Sequence, residues 1–247
     1  MPGLAPESWR AELGQPRFSL VVFDKGGTLI DFRAMWCAWA IEMARRLESR
    51  LGFSFAARFF DALGFDPASG WIDPLGPLAV LPVENLRGFS VDVLIQAGLS
   101  PQDAVAAVAA TWFLPDPVAS AHPLADLPAL FHALRERGLK IAIATMDQRA
   151  STKAGLTTLG ISAWADALVC ADDGLPLKPS PDMVWAACGK VGVSPRRTVV
   201  VGDSITDMQM GRSAGAGLNI GVLSGVTPAE LLAPHADVLI AHVGELI

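Results

Sequence analysis

The sequence predicts an α/β protein: a doubly wound parallel sheet with an inserted α-helical domain. Three features carry that prediction. Short apolar runs, most of them rich in β-branched residues, recur along the chain and end in polar or glycine-bearing loops. Amphipathic segments of helical length separate the later runs. The stretch 32–123 breaks this alternation with helix after helix.

The first run is Ser19 to Phe23, ending at Asp24 and then Gly26-Gly27. It reads as a buried strand entering a tight loop. Leu139–Thr145, Ala167–Ala171, Thr198–Val201 and Leu218–Val222 are similar runs, and Asp237–Ile240 is a weaker one. Helical patterns lie between them at Asp126–Arg137, Gln148–Leu159, Pro181–Val191 and Ile205–Ala214. Strands alternating with helices build βαβ units, whose sheet is parallel and covered on both faces.

Within the insert, Met35, Trp39, Met43 and Leu47 recur four apart and predict a helix over Ala34–Leu51. Phe55–Leu63 and Val83–Ala97 also read as helices. Ser100-Pro101-Gln102-Asp103 is a helix start, with serine as N-cap and proline in the first turn, leading into Ala104–Phe113. The Gly/Pro-rich stretch Asp66–Pro82 reads as a loop. The expected domains are therefore 1–31 with 124–247 as the sheet-bearing core, and 32–123 as the helical insert.

Composition narrows the function classes. The chain has 247 residues, 51% hydrophobic and 18% charged, with a net charge of −6. That suits a globular protein and offers no basic face for nucleic acid. The longest largely apolar stretch, Ala104–Leu114, falls short of the ~20 residues a membrane span needs, and reads as a buried helix. Cys37, Cys170 and Cys188 are too scattered for a metal site or a disulfide framework, which fits a reducing cytoplasm. The N-terminus, MPGLAPESWRAELGQPR, has charges and prolines and lacks the apolar centre of a signal peptide. His122, His132, His235 and His242 form no ligand pattern.

Ligands of open α/β sheets bind beyond the carboxyl ends of the strands. Asp24, Thr145, Asp172 or Asp173, and Asp203 all fall there. Four motifs line up in order: VVFDKGGTL at 21–29, IAIAT at 141–145, LKPSPD at 177–182 and VVGDSITD at 200–207. Together they resemble the haloacid dehalogenase superfamily, over about Arg17–Asp31 and Leu124–Ile247. The insert is similar to the helical cap of its phosphoglycolate-phosphatase-like branch. The resemblance implies a Rossmann-like core with a cap domain. It also implies a Mg²⁺-dependent phosphomonoesterase acting on a small phosphorylated metabolite, as a monomer or homodimer, without nucleic-acid or membrane partners.

The resemblance also assigns roles. Asp24 is the expected nucleophile, attacking phosphorus to give an aspartyl-phosphate. Asp24, Asp203 and the backbone carbonyl of Gly26 are expected to offer oxygens to Mg²⁺, with Asp207 orienting the site from behind them or through water. Lys178 is expected to neutralise phosphate charge and Thr145 to donate a hydrogen bond to it. Gly27 and Thr28 are expected in the phosphate-binding loop. Arg33 and Trp36, at the start of the insert, are candidate substrate contacts, and Arg87 is a weaker one. Asp147 is read as a cap of the next helix or as a substrate contact, and Asp172 or Asp173 as a partner of Lys178 or of a metal-bound water.

One position departs from the family pattern. Its phosphatases carry a second aspartate two residues after the nucleophile, to protonate the leaving alcohol and then activate water. Here that residue is Gly26. General acid–base catalysis is worth typically ~10²–10⁴-fold, so the departure touches rate more than binding. It leaves three readings. In the first, the phosphatase is slow, prefers good leaving groups, or borrows an acid from the cap. In the second, the chemistry is that of a relative. Phosphonoacetaldehyde hydrolases have a small residue here but need a cap lysine, and 32–123 contains no lysine. Haloacid dehalogenases carry an aromatic residue and P-type ATPases a threonine, and neither matches. In the third, the chain is a catalytically silent binding or regulatory protein on the same scaffold.

Overall fold

A computed structural model describes residues 8–14 and 16–247. The N-terminal reading rests partly on residues 1–7 and 15, which lie outside the described residues. In order, the elements are α1 (Ser8–Glu12), β1 (Leu20–Phe23), α2 (Phe32–Leu51), α3 (Ala56–Leu63), β2 (Phe65–Asp66), β3 (Trp71–Ile72), α4 (Pro77–Val80), α5 (Val83–Gln96) and α6 (Pro101–Thr111). They continue with α7 (Leu127–Glu136), β4 (Lys140–Ala144), α8 (Arg149–Thr158), β5 (Ala167–Val169), α9 (Asp182–Val191), β6 (Thr198–Gly202), α10 (Ile205–Ala214), β7 (Leu218–Val222), α11 (Ala229–Leu232) and β8 (Val238–Ile240). The chain divides into two compact units, Met1–Asp31 with Pro117–Ile247, and Phe32–Asp116.

The first unit is a six-stranded, all-parallel sheet in the order β5-β4-β1-β6-β7-β8. The chain builds outward from β1 in one direction through β4 and β5, then returns to build through β6, β7 and β8. The order therefore switches beside β1, the place where α/β sheets open a ligand crevice. All four residues of β1 are buried, and alternate ones face opposite layers. Val21 and Phe23 pack with Ile141, Val199 and Phe131 in one core, Leu20 and Val22 with Ala142, Met183 and Val184 in the other. Each such fully buried aliphatic or aromatic side chain contributes ~1.5–3 kcal/mol, which is why a central strand reads as an unbroken apolar run. The short α1 was not expected from the sequence; its Trp9 and the following Leu13 join the first core.

The way out to the second unit and the way back run side by side. Asp31 N–H donates to His122 O at 2.8 Å, Leu124 N–H to Leu29 O at 3.0 Å, and Ile30 bridges Pro123. This pairing ties the residues just after Pro117 to the first unit.

The second unit is mainly helical. The long helix α2 buries Met35, Trp36, Trp39, Met43 and Leu47 along one stripe. Ser100 caps α6 by accepting from Asp103 N–H, as its position before proline predicts. Two expectations are corrected here. The stretch Asp66–Pro82 is not simply a loop: β2 and β3 pair antiparallel across a turn at Gly70, which has φ +71°, and α4 follows, with proline at its start. Short elements of this kind carry too few residues to show a period. The apolar α6 is buried on one side only, since Ala104, Ala107, Val108 and Thr111 are covered while Val105 is 55% exposed. Among the described residues, no helix is long and apolar enough to cross a membrane.

Candidate active site

The site gathers at the carboxyl ends of β1, β4 and β6. Asp24 directly follows β1, and its N–H donates to Val201 O of β6 at 2.8 Å, so the ladder extends one residue and aims the carboxylate. Thr145 follows β4, and its N–H donates to Val169 O of β5 at 3.0 Å. Asp203 follows β6. Asp207 sits in the first turn of α10, locked by a capping box: Ser204 Oγ accepts from Asp207 N–H, and Ser204 N–H donates to Asp207 Oδ2, each at 3.1 Å. The box satisfies helix N–H groups and fixes one carboxylate oxygen.

The carboxylates of Asp24, Asp203 and Asp207 are buried, with one oxygen of each lying within 4.8 Å of the others. Lys178 Nζ reaches this cluster, donating to Asp24 Oδ1 at 2.5 Å and pairing with Asp207 Oδ1 at 2.6 Å. Thr28 donates its hydroxyl to Asp203 Oδ1 at 3.2 Å.

Three buried negative charges facing one ammonium set the electrostatics. Burial pushes the Asp24 carboxyl up to about 7, with Lys178 opposing and Asp207 adding to the rise. Burial, then the charges of Asp24 and Asp207, hold the Asp203 carboxyl well above its ordinary range. Lys178 is held protonated above its ordinary value: burial works against its charge, but Asp207 and Asp24 outweigh it. The cluster is therefore short of positive charge. Its all-oxygen donor set, with a raised pair of carboxylates, suits a hard divalent cation such as Mg²⁺.

Not every expected residue has the place the sequence suggested. The side chain of Thr28 is fully buried and holds Asp203 rather than facing a substrate. Neither Asp172 nor Asp173 is the partner of Lys178. Asp173 takes a two-pronged hydrogen bond from Arg149, and Asp172 Oδ1 accepts Arg149 N–H at 2.9 Å. Asp207, 29 residues after Lys178 in the chain but next to it in space, has that role. Asp147 does not cap α8: the N-cap is Gln148, with no side-chain cap, and the Asp147 carboxylate pairs with Lys25 instead.

In the second unit, Arg33 Nη1 donates to Gly70 O at 3.0 Å and Trp36 packs edge-on against Trp39, while Arg87 is exposed. His132 pairs with Glu136, and His242 Nδ1 accepts Gly244 N–H.

Two contributors escaped the sequence reading. Ser224 Oγ donates to Gly27 O at 2.7 Å, tying the loop after β7 to the loop after Asp24. A Cβ on the adjacent Gly225 would lie 1.9 Å from Asp203 Oδ2. The strand-end rule pointed to this loop, because it follows the run Leu218–Val222. Gly27, with φ +81° and 2.5 Å between its ideal Cβ and Asp203, is constrained likewise. Gly225→Ala is therefore expected to force Asp203 aside and cost ~1–3 kcal/mol, the usual penalty of overpacking. Urea unfolding measures the loss, and divalent-cation titration of the same protein shows whether Asp203 has moved.

Doubly wound topology and a carboxylate cluster with one lysine at the switch point define a recognisable class of α/β hydrolase. Residues 18–215 match the model of the haloacid dehalogenase-like hydrolases, and the chain belongs to that family. It is 31% identical over 127 residues to N-acetylmuramic acid 6-phosphate phosphatase of Pseudomonas aeruginosa, covering 51% of this chain and 56% of that one. A Dickeya dadantii protein named "Probable phosphatase IndB" is 28% identical over 92% of this chain and 91% of its own. The former case is the common one, and the chain spans about half the length of most relatives it matches. Among solved structures, a predicted phosphoglycolate phosphatase from Haemophilus somnus superposes with a TM-score of 0.64 at 19% identity, covering 94% of this chain and 98% of that one, and shares the fold.

Proposed function

We propose that the protein is a Mg²⁺-dependent phosphomonoesterase that acts on a small phosphorylated metabolite through an aspartyl-phosphate on Asp24. The buried cluster of Asp24, Asp203 and Asp207 around Lys178 carries this reading. Asp24, Asp203, Asp207 and the carbonyl of Gly26 would hold the ion. When bound, it offsets the repulsion between a carboxylate and a phosphate dianion. The phosphatase names of relatives support the substrate class. In this reading 32–123 is the cap, Arg33 and Trp36 are its candidate substrate contacts, and the enzyme works as a monomer or homodimer in the cytoplasm.

The steps follow from the residues. An Asp24 carboxylate oxygen bonds to phosphorus as the ester P–O bond breaks. Lys178 orients the Asp24 carboxylate and opposes the rise that burial imposes on it. Thr145 donates to a phosphoryl oxygen, and the N–H of Gly26 adds a donor, while that of Gly27 is held by Ile30 O at 2.7 Å. With glycine at 26, the departing oxygen takes its proton from solvent. Water then attacks phosphorus, releasing orthophosphate and regenerating Asp24. The substrates favoured are those whose leaving group departs without protonation. A phosphate-release screen over sugar phosphates, phosphoglycolate, nucleotides and p-nitrophenyl phosphate tests the reading. No turnover of any of them at high protein concentration replaces it with the second reading that Gly26 favours, a silent phosphate-binding protein.

The charge deficit predicts a pH signature. Between the ordinary carboxylate value, 3.8, and about 7, the folded metal-free protein keeps a proton on Asp24 that the unfolded chain has released. Protons bound in excess by the folded state make stability fall as pH rises through that window. Chelator-treated protein is therefore expected to melt at a higher temperature at pH 5 than at pH 8, with Mg²⁺ restoring the loss at pH 8. Differential scanning calorimetry checks this. A melting temperature at pH 8 that Mg²⁺ leaves unchanged would remove the cation from the cluster.

A further inference from the structure

Lys25 follows the nucleophile directly, yet it is 3% exposed and its ammonium is paired with Asp147. Stability does not explain the arrangement. Burying an ammonium against a carboxylate that is itself 21% exposed costs about what their attraction returns, and apolar residues of similar volume generally do as well or better. What the pair supplies is a connection. β1 and β4 are neighbours, with Phe23 in register with Ile143. Lys25 and Asp147 lie beyond these strand ends, where the backbone ladder no longer ties one loop to the other.

Both ends of the pair are anchored at the site. The backbone N–H of Lys25 donates to the Asp24 carboxylate, and Lys25 O accepts from Leu29 N–H at 2.9 Å and Ile30 N–H at 3.0 Å. The N–H of Asp147 donates to Thr145 Oγ1 at 3.2 Å, and Asp147 O accepts from Ala171 N–H at 3.1 Å. A chain of contacts thus runs from the Asp24 carboxylate through Lys25 and Asp147 to the Thr145 hydroxyl.

We propose that the Lys25–Asp147 pair is a positioning clasp that sets the separation between the nucleophile Asp24 and the phosphate-binding hydroxyl of Thr145. The roles of those two residues are taken from the function proposed above. A misplacement of about 1 Å costs on the order of 10²-fold in rate, so two loops that each hold one reacting contact need such a tie. Neither Lys25 nor Asp147 is asked to touch the substrate.

The test compares the parent with K25M, D147N and K25M/D147N. Thermal unfolding, kcat and KM for p-nitrophenyl phosphate, and amide hydrogen exchange at residues 25–30 and 145–148 are measured for each. D147N leaves the buried Lys25 ammonium unpaired, and K25M leaves the partly exposed Asp147 carboxylate unpaired; both are expected to unfold at lower temperature, D147N the more so. The double variant buries none and is expected to recover parent stability. Its kcat is nevertheless expected to fall ~10–100-fold with little change in KM, and its two loops to exchange at least ~10-fold faster than the parent's. A double variant with parent kcat, with a loss carried in KM, or with parent exchange in both loops overturns the clasp. K25A/D147A, which cannot overpack, is read the same way if K25M/D147N does not fold. Should the parent itself turn over no substrate, the phosphatase reading fails separately, and exchange in the two loops alone decides the clasp.

Discussion

Asp24→Asn is expected to abolish phosphate release, by on the order of 10³-fold or more, while leaving the fold in place. An amide cannot form the acyl phosphate, and loss of a nucleophile is among the largest single-residue effects in enzymes. The substitution is nearly isosteric. Lys178 keeps Asp207 as a partner at 2.6 Å, so no charge is stranded in the interior. It also removes the carboxyl that burial pushes up to about 7, so metal-free D24N is expected to melt no lower than the parent at pH 8. Single-turnover kinetics with acid quench and intact-mass detection of a phosphorylated protein check the chemistry. Phosphate release by D24N at the parent rate would exclude Asp24 as nucleophile.

Gly26→Asp is expected to raise kcat for alkyl phosphates by ~10²–10⁴-fold, the usual worth of a positioned acid–base group. Backbone geometry permits the change: Gly27 has a positive φ, but Gly26 does not. The gain is expected to be selective. A sugar phosphate leaves as a strongly basic alkoxide and needs the proton, whereas nitrophenolate leaves readily as the anion and needs it little. The ratio of the two rates is therefore the diagnostic, measured by phosphate release under identical Mg²⁺. Equal gains on both substrates would point to an effect on metal or phosphate binding. No gain on either would mean that another group already transfers the proton.

Much of this protein was legible in the linear sequence, because burial leaves a local record. β1, β4, β6 and β7 are flanked on both faces, so their residues are mostly apolar, with Lys140, Thr198 and Asn219 as exceptions, and the runs at 19–23, 139–145, 198–201 and 218–222 marked them. A helix end was equally readable where the cap is local, as at Ser100, which accepts from the N–H three residues on. The elements missed, α1, α4, α11 and the β2–β3 pair, have five residues or fewer. They are too short for a period to rise above chance, and their neighbours hold them rather than their own pattern.

The candidate site divides along the same line. The sequence by itself determined which groups stand at strand ends: Asp24, Thr145 and Asp203 each follow an apolar run, and that position is set by chain order alone. Only the tertiary structure decided who meets whom. Lys178 pairs with Asp24 and Asp207 rather than with the nearer Asp172 or Asp173, and Asp147 pairs with Lys25 rather than capping α8. The reason is physical. Hydrophobic patterning constrains which residues are buried, whereas the pairing of charges depends on distances of a few ångströms between loops far apart in the chain. In a low-dielectric interior those distances also decide protonation, so the raised carboxyls of Asp24 and Asp203 and the charge deficit that suits a divalent cation arise only once β1 and β6 stand side by side.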